Sequence, residues 1–206
     1  MPGSAERLHA VLDGPVLEVA PRLLGGLLRH ETTAGVVSVR LTEVEAYDGP
    51  GDPGSHAFNG RTARNAVMFG PRGRLYVYFT YGMHHCCNVV VGDEGSPSAV
   101  LLRAGEVVGG LELARERRRG SDRDLARGPA RLCEALGIDL SHNGADLSRG
   151  ALTLTPSDRA VSDIGTGPRV GLRKAADRPW RFWVAGDPTV SVYRPAAPLK
   201  RRAVGD

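Results

Sequence analysis

The sequence predicts an α+β fold, on three observations. Residues 35–47 and 75–81 alternate in the two-residue rhythm of β-strands, while 15–30 and 128–136 carry helical signals. Between them lie stretches dense in glycine and proline, which end regular structure. At 206 residues and 41% hydrophobic content, the chain can bury one substantial core or at most two small ones. No internal repeat divides it, so residues 1–206 read as one domain, with 1–14 and 195–206 expected as flexible ends.

The first element, residues 15–30, is an apolar stretch expected as a helix covering the sheet. Residues 35–47 then alternate. Their odd positions read Val37, Val39, Leu41, Glu43, Glu45, Tyr47: three apolar steps followed by two carboxylates and a phenol. With that parity kept, both glutamates continue the core-facing row toward the strand end, where partial desolvation suits a carboxylate to general acid or base work. The alternative is a register shift near the strand end that lets both reach water.

Asp48 to His56 holds three glycines and two prolines, leaving no room for regular structure, and delivers His56 at its far end. Arg61, Arg64, Arg72 and Arg74 then crowd the approach to the next strand. In that strand, Tyr76, Tyr78, Phe79 and Tyr81 place four of the eleven aromatic residues within six positions. Tyr76 and Tyr78 project to one face, Val77 and Phe79 to the other, and Tyr81 stands beside Gly82 and Met83 at an expected turn. The run would serve as a well-filled core strand. Flat rings at a strand edge, interleaved with basic residues, also suit stacking on nucleobases beside a phosphate backbone.

His84-His85-Cys86-Cys87 resembles metal ligands at first sight, but alternation sends its members to opposite faces and the spacing fits no zinc pattern, so no metal is expected. Residues 115–124 form a charge run read as a solvated helix end and loop. Gly128-Pro129 opens a helix whose inner face is Leu132, Ala135 and Leu136, and Arg127 and Arg131 beside its free N–H groups suit a phosphate. The net charge of +4 calls for a basic patch rather than a uniformly basic surface. Three cysteines form no disulfide framework, and no long apolar run or signal-like start appears. A cytoplasmic protein without membrane contact is expected.

Several separated blocks occur in one family's order and spacing. They are Glu43-Val-Glu-Ala-Tyr-Asp-Gly-Pro-Gly-Asp52, His56, Arg64-Asn65, Leu75 to Tyr78, Tyr81-Gly-Met83, Asn88 and Val100 to Ala104. Gly128-Pro129, Leu132-Cys133, Ala135-Leu136, Gly167 to Gly171, Trp180-Arg-Phe182 and Gly186 to Pro188 continue the series. Nearly the whole chain thus resembles the alkyladenine (3-methyladenine, or methylpurine) DNA glycosylases. The resemblance adds a strongly curved antiparallel sheet, packed helices and a protruding β-hairpin to the α+β pattern.

The resemblance implies a base-excision-repair enzyme that flips an alkylated or deaminated purine from duplex DNA and hydrolyses its N-glycosidic bond, leaving an abasic site. By position, Glu45 would activate the water and Arg103 would orient Glu45 or that water. Tyr47, His56 and Tyr78 would hold the flipped base, and Asn88 would crowd the 2-amino group of guanine. Tyr81, with Met83, would fill the gap in the duplex, and Arg61, Arg64 and Arg169 would meet the DNA backbone. Glu43, off the catalytic position, is expected to matter much less. No cofactor is called for, and a monomer bound to damaged duplex DNA is expected, on the nucleoid in a bacterium. No lysine lies near these motifs in sequence, Lys174 and Lys200 being far downstream, which favours direct hydrolysis over a Schiff-base lyase. The rival functions are a non-catalytic binder of single-stranded nucleic acid and a hydrolase of free purine nucleosides.

Overall fold

A computed structural model describes residues 3–80 and 82–197. Among these residues are four α-helices, α1 (Ser4–Val11), α2 (Val16–Arg22), α3 (Leu111–Arg117) and α4 (Pro129–Leu136). The eight strands are β1 (Leu27–Thr32), β2 (Gly35–Asp48), β3 (Leu75–Thr80), β4 (His84–Val91), β5 (Ser98–Gly109), β6 (Leu152–Thr155), β7 (Ile164–Gly167) and β8 (Arg181–Val184). The α+β prediction holds: a curled antiparallel sheet runs β3-β4-β5-β2-β1-β6, with β8 joined to β2 and β7 to β8.

Strand β2 organises the sheet. One edge pairs with β5 from Ser38 to Asp48. The other pairs with β1 over Gly35–Arg40 and with β8 over Glu43–Glu45. From Leu41 to Val44 the pairing with β5 slips twice. Leu41 faces Gly105 and Glu43 faces Ala104, which leaves Thr42 without an opposite partner; Val44 then faces Leu102, which leaves Arg103 without one. At this point each strand carries one extra residue, a pair of bulges that sharpens the local twist and turns each strand over; a further slip between Ser38 and Val39 leaves Val108 of β5 without an opposite partner.

The consequence corrects the parity expected from the sequence. Val37, Val39 and Leu41 enter the main core as odd positions, but beyond the bulge the even positions Val44 and Ala46 do so. Glu43 and Glu45 are fully buried on the other face. Neither continues the core row, and neither stands at the solvent-exposed surface.

Two further expectations change. Residues 15–30 are not one helix: α2 ends at Arg22, and Leu27 begins β1. The N-terminal stretch is not loose, because Ser4–Val11 is helical and Leu8 and Leu12 are fully buried. At the other end, Gly171 donates to the carbonyl of Arg194 and Arg173 to that of Ala197; 198–206 lie outside the described residues. The α4 helix begins at Pro129 and buries Leu132, Ala135 and Leu136 as expected, with Cys133 besides. No helix among the described residues is long and apolar enough to cross a membrane.

Candidate active site

The bulge at Arg103 and the flip in β2 bring the chemistry to one face of the sheet. Along it, Glu45 pairs with Leu101, Leu101 with Asn88, and Asn88 with Tyr76, so one row crosses β2, β5, β4 and β3. Above that row lies a cavity of about 330 Å3, at the small end of ligand pockets. Glu45, Tyr47, His56, Tyr78, Asn88 and Arg103, the predicted catalytic and base-binding residues, all line it.

Both oxygens of the Glu45 carboxylate are occupied. The Val170 N–H donates to Oε1 at 2.7 Å and the Tyr47 hydroxyl to Oε2 at 2.8 Å, while Arg103 Nη1 stands 3.5 Å from Oε1. Burial, and then the charge of Glu45, push the Tyr47 phenol well above its ordinary range, so it stays a donor. Burial alone would lower the Arg103 guanidinium, but Glu45 and Glu43 outweigh it and hold the cation firmly.

Glu43 is a second buried hub. Arg103 Nε lies 2.9 Å and Arg181 Nε 3.0 Å from its Oε1, and Ser191 donates its N–H to Oε2 and its hydroxyl to Oε1. Two carboxylates and two guanidiniums therefore balance, with Glu45 and Arg103 in the cavity wall, the arrangement that buried charge requires.

The aromatic part follows the expected alternation. Tyr76 and Tyr78 stack with centroids 5.6 Å apart, Val77 enters the main core, and Phe79 is exposed. His56 stands at the rim, its ring edge-on to Tyr78 at 4.5 Å and its Nδ1 3.0 Å from the Tyr76 hydroxyl. Desolvation on that packed side, then the charge of Arg64, lower the imidazole, so it is neutral at pH 7. Asn88 is buried and its Nδ2 donates to the Tyr76 carbonyl at 3.3 Å. Met83 is 68% exposed at the β3–β4 hairpin tip. Tyr81 lies outside the described residues.

Among the basic residues, Arg61 and Arg64 are exposed beside the pocket, Arg64 with its guanidinium 5.7 Å from the Tyr78 ring. Arg169 is a correction. It is fully buried, forks onto Asp52 through both terminal nitrogens and donates to the Ala46 carbonyl, so it offers nothing to a phosphate. A groove of about 500 Å3 adjoins the pocket instead, sharing Arg103 and Val170 and adding Arg118, Arg127, Arg131 and Arg194 against the single acid Asp124.

Sequence reasoning missed Val170, whose contribution is a backbone N–H that no side-chain pattern signals. It also missed Cys86, which lines the pocket and whose thiol burial pushes up to about 11 despite a hydrogen bond with Tyr78. Cys87 faces the other way, into the core. No cluster of three or more metal-ligating side chains occurs among the described residues. Lys174, remote in sequence, comes within two residues of pocket-lining Leu172, with its ammonium 5.9 Å from the centroid of the Phe58 ring.

The family model for methylpurine-DNA glycosylase matches residues 10–188. A relative from Streptomyces avermitilis is 55% identical over 195 residues, 91% of this chain and 92% of its own length. One from Leifsonia xyli is 56% identical over 189 residues, 86% of this chain and 88% of its own. A more distant one from Burkholderia lata is 45% identical over 199 residues, 94% of this chain and 92% of its own. All three carry the provisional description 3-methyladenine DNA glycosylase. With most of its length matched by the family model, this chain belongs to the methylpurine-DNA glycosylase family and is a DNA glycosylase.

Proposed function

We propose that the protein takes a damaged purine, 3-methyladenine foremost, out of duplex DNA into the pocket and hydrolyses its N-glycosidic bond with a water activated by Glu45. The observation that carries this is a fully buried glutamate, held by donors on both oxygens, in the wall of an aromatic cavity. A binding module gains nothing from such a group. In the reaction, the water oxygen bonds to C1′ while Glu45 takes its proton. The electron pair of the C1′–N bond leaves with the purine. A cationic alkylated purine departs neutral and needs no acid.

Extruding the nucleotide costs a few kcal/mol, least where pairing is already damaged. Stacking on an aromatic side chain returns roughly 1–3 kcal/mol per base, so Tyr47, Tyr78 and the neutral His56 ring make the flipped state competitive. A neutral His56 leaves the π-rich pocket attractive to a cationic base. Tyr81, by resemblance, fills the gap in the duplex, with Met83 beside it. Arg61, Arg64 and the arginine groove at Arg127 and Arg131 meet phosphates, and the enzyme works as a monofunctional hydrolase on the DNA of the cell. A panel of duplexes carrying 3-methyladenine, 7-methylguanine, hypoxanthine or ethenoadenine, beside the free nucleosides, tests the reading. Free base and alkali-labile sites are expected from duplexes only; equal release from free nucleosides would identify a nucleoside hydrolase.

A further inference from the structure

Each of the two donors on Glu45 is tied to Arg169. Val170, whose N–H holds Oε1, is its chain neighbour. Tyr47, whose hydroxyl holds Oε2, is its stacking partner, with the guanidinium carbon 4.6 Å from the ring centroid and Trp180 5.0 Å away. The guanidinium is held through both terminal nitrogens, while its buried Nε has no hydrogen-bond partner among the described residues. It forks onto Asp52, donates to the Ala46 carbonyl at 2.9 Å between Glu45 and Tyr47, and is fully buried. Asp52 in turn accepts from the Gly54 N–H at 3.0 Å, in the loop that carries His56. A β-carbon at Gly54 would fall 2.8 Å from Arg169 Nη2, so glycine there is what lets the loop close over the guanidinium.

We infer that Arg169 is a positioning residue for base excision: anchored by Asp52, it sets the Val170 N–H and the Tyr47 hydroxyl that together aim the Glu45 carboxylate. The inference rests on Glu45 being the base. One planar cation thereby couples the strand that bears the base, the loop that bears His56 and the segment that closes the pocket. Arginine is required rather than a generic cation, because only the guanidinium makes the fork and the ring stack at once.

The test compares single-turnover base release with capture of damaged duplex. Arg169→Lys keeps the charge but loses the fork and the flat stack. Release is expected to fall by about 10- to 100-fold, as for a displacement of a catalytic group by about an ångström, with the dissociation constant for damaged duplex within about threefold of wild type. Tyr47→Phe leaves the ion pair and the stack in place and removes one donor, so it probes the same link even where loss of the pair prevents folding. It is expected to slow release, and with Asp52→Asn the combined loss should be smaller than the product of the single losses. A folded Arg169→Lys protein with the wild-type rate, a rate and affinity falling in proportion, or a Tyr47→Phe protein as fast as wild type would each overturn the inference. Glu45→Gln, measured alongside, separates the two levels. Turnover retained there removes the base assignment itself, whereas turnover lost there with Arg169→Lys unaffected removes only the positioning role.

Discussion

Asn88 carries the selectivity prediction. Its amide is buried in the pocket and tied to the Tyr76 carbonyl, so it cannot swing away from an incoming 2-amino group. A buried clash or unpaired polar group costs on the order of 1–3 kcal/mol, enough to reject guanine by tens to hundreds of fold. Asn88→Ser should therefore raise excision of guanine lesions relative to hypoxanthine, read from paired duplexes. A proportional loss on all purines would mean that Asn88 holds the strand instead. Glu43 demands a revision at this scale too. Two hydrogen bonds from Ser191 and two guanidiniums converge on its carboxylate, so Glu43→Gln is expected to destabilise the protein by about 3–5 kcal/mol, as when one member of a buried ion cluster is removed. A thermal midpoint within a degree of wild type would contradict this. The pocket-lining residues Glu45, Tyr47, His56, Tyr78, Asn88 and Arg103 were legible because their types, order and spacing are distinctive. Arg169 was misread because composition cannot tell an arginine at the surface from one between two rings.

The elements were less legible than the residues. Sequence alternation located β2 and β3, but period-two reasoning carries through a strand only while the register is unbroken. Two unpaired residues, Thr42 and Arg103, invert the faces of β2 and β5 and bring Glu45 to the pocket. Gly105 sits at this junction. A β-carbon there would lie 2.4 Å from the Arg40 carbonyl oxygen and from a Val39 methyl, so Gly105→Ala should cost about 1–3 kcal/mol, seen as a lower urea midpoint. The loop that delivers His56 was recognised from its glycines and prolines; its anchor was not, since Asp52 and Arg169 lie 117 residues apart. Burial alone would raise the Asp52 carboxyl, but hydrogen bonds from Arg169 and the Gly54 N–H outweigh it and hold it below its usual value. The pair's stabilisation is thus fully present above the unfolded carboxyl's pKa of about 3.9 and is lost as pH falls through the lower folded value. Asp52→Asn should lower the thermal midpoint at pH 7, and the gap to wild type should narrow below about pH 4. A gap that widens in acid would contradict the sign.

At the scale of the whole molecule, a net charge of +4 is concentrated where it is useful. Arg61 and Arg64 are exposed, Arg64 against the Tyr78 ring of the pocket, and the groove with Arg127 and Arg131 adjoins the pocket. Neutralising Arg131 should reduce the slope of log affinity against log salt by about 1 and weaken all duplexes alike, damaged or not. Everything nevertheless converges on one carboxylate, whose two oxygens are held and whose strand is inverted by a bulge to reach the cavity. The most direct measurement is single-turnover release of free base from a 3-methyladenine or hypoxanthine duplex by Glu45→Gln protein, with duplex binding followed on the same sample. The amide keeps the shape but cannot take a proton from water. Base release should vanish while damaged-duplex binding remains within a few fold of wild type; release at the wild-type rate by the folded variant would show that Glu45 is not the base.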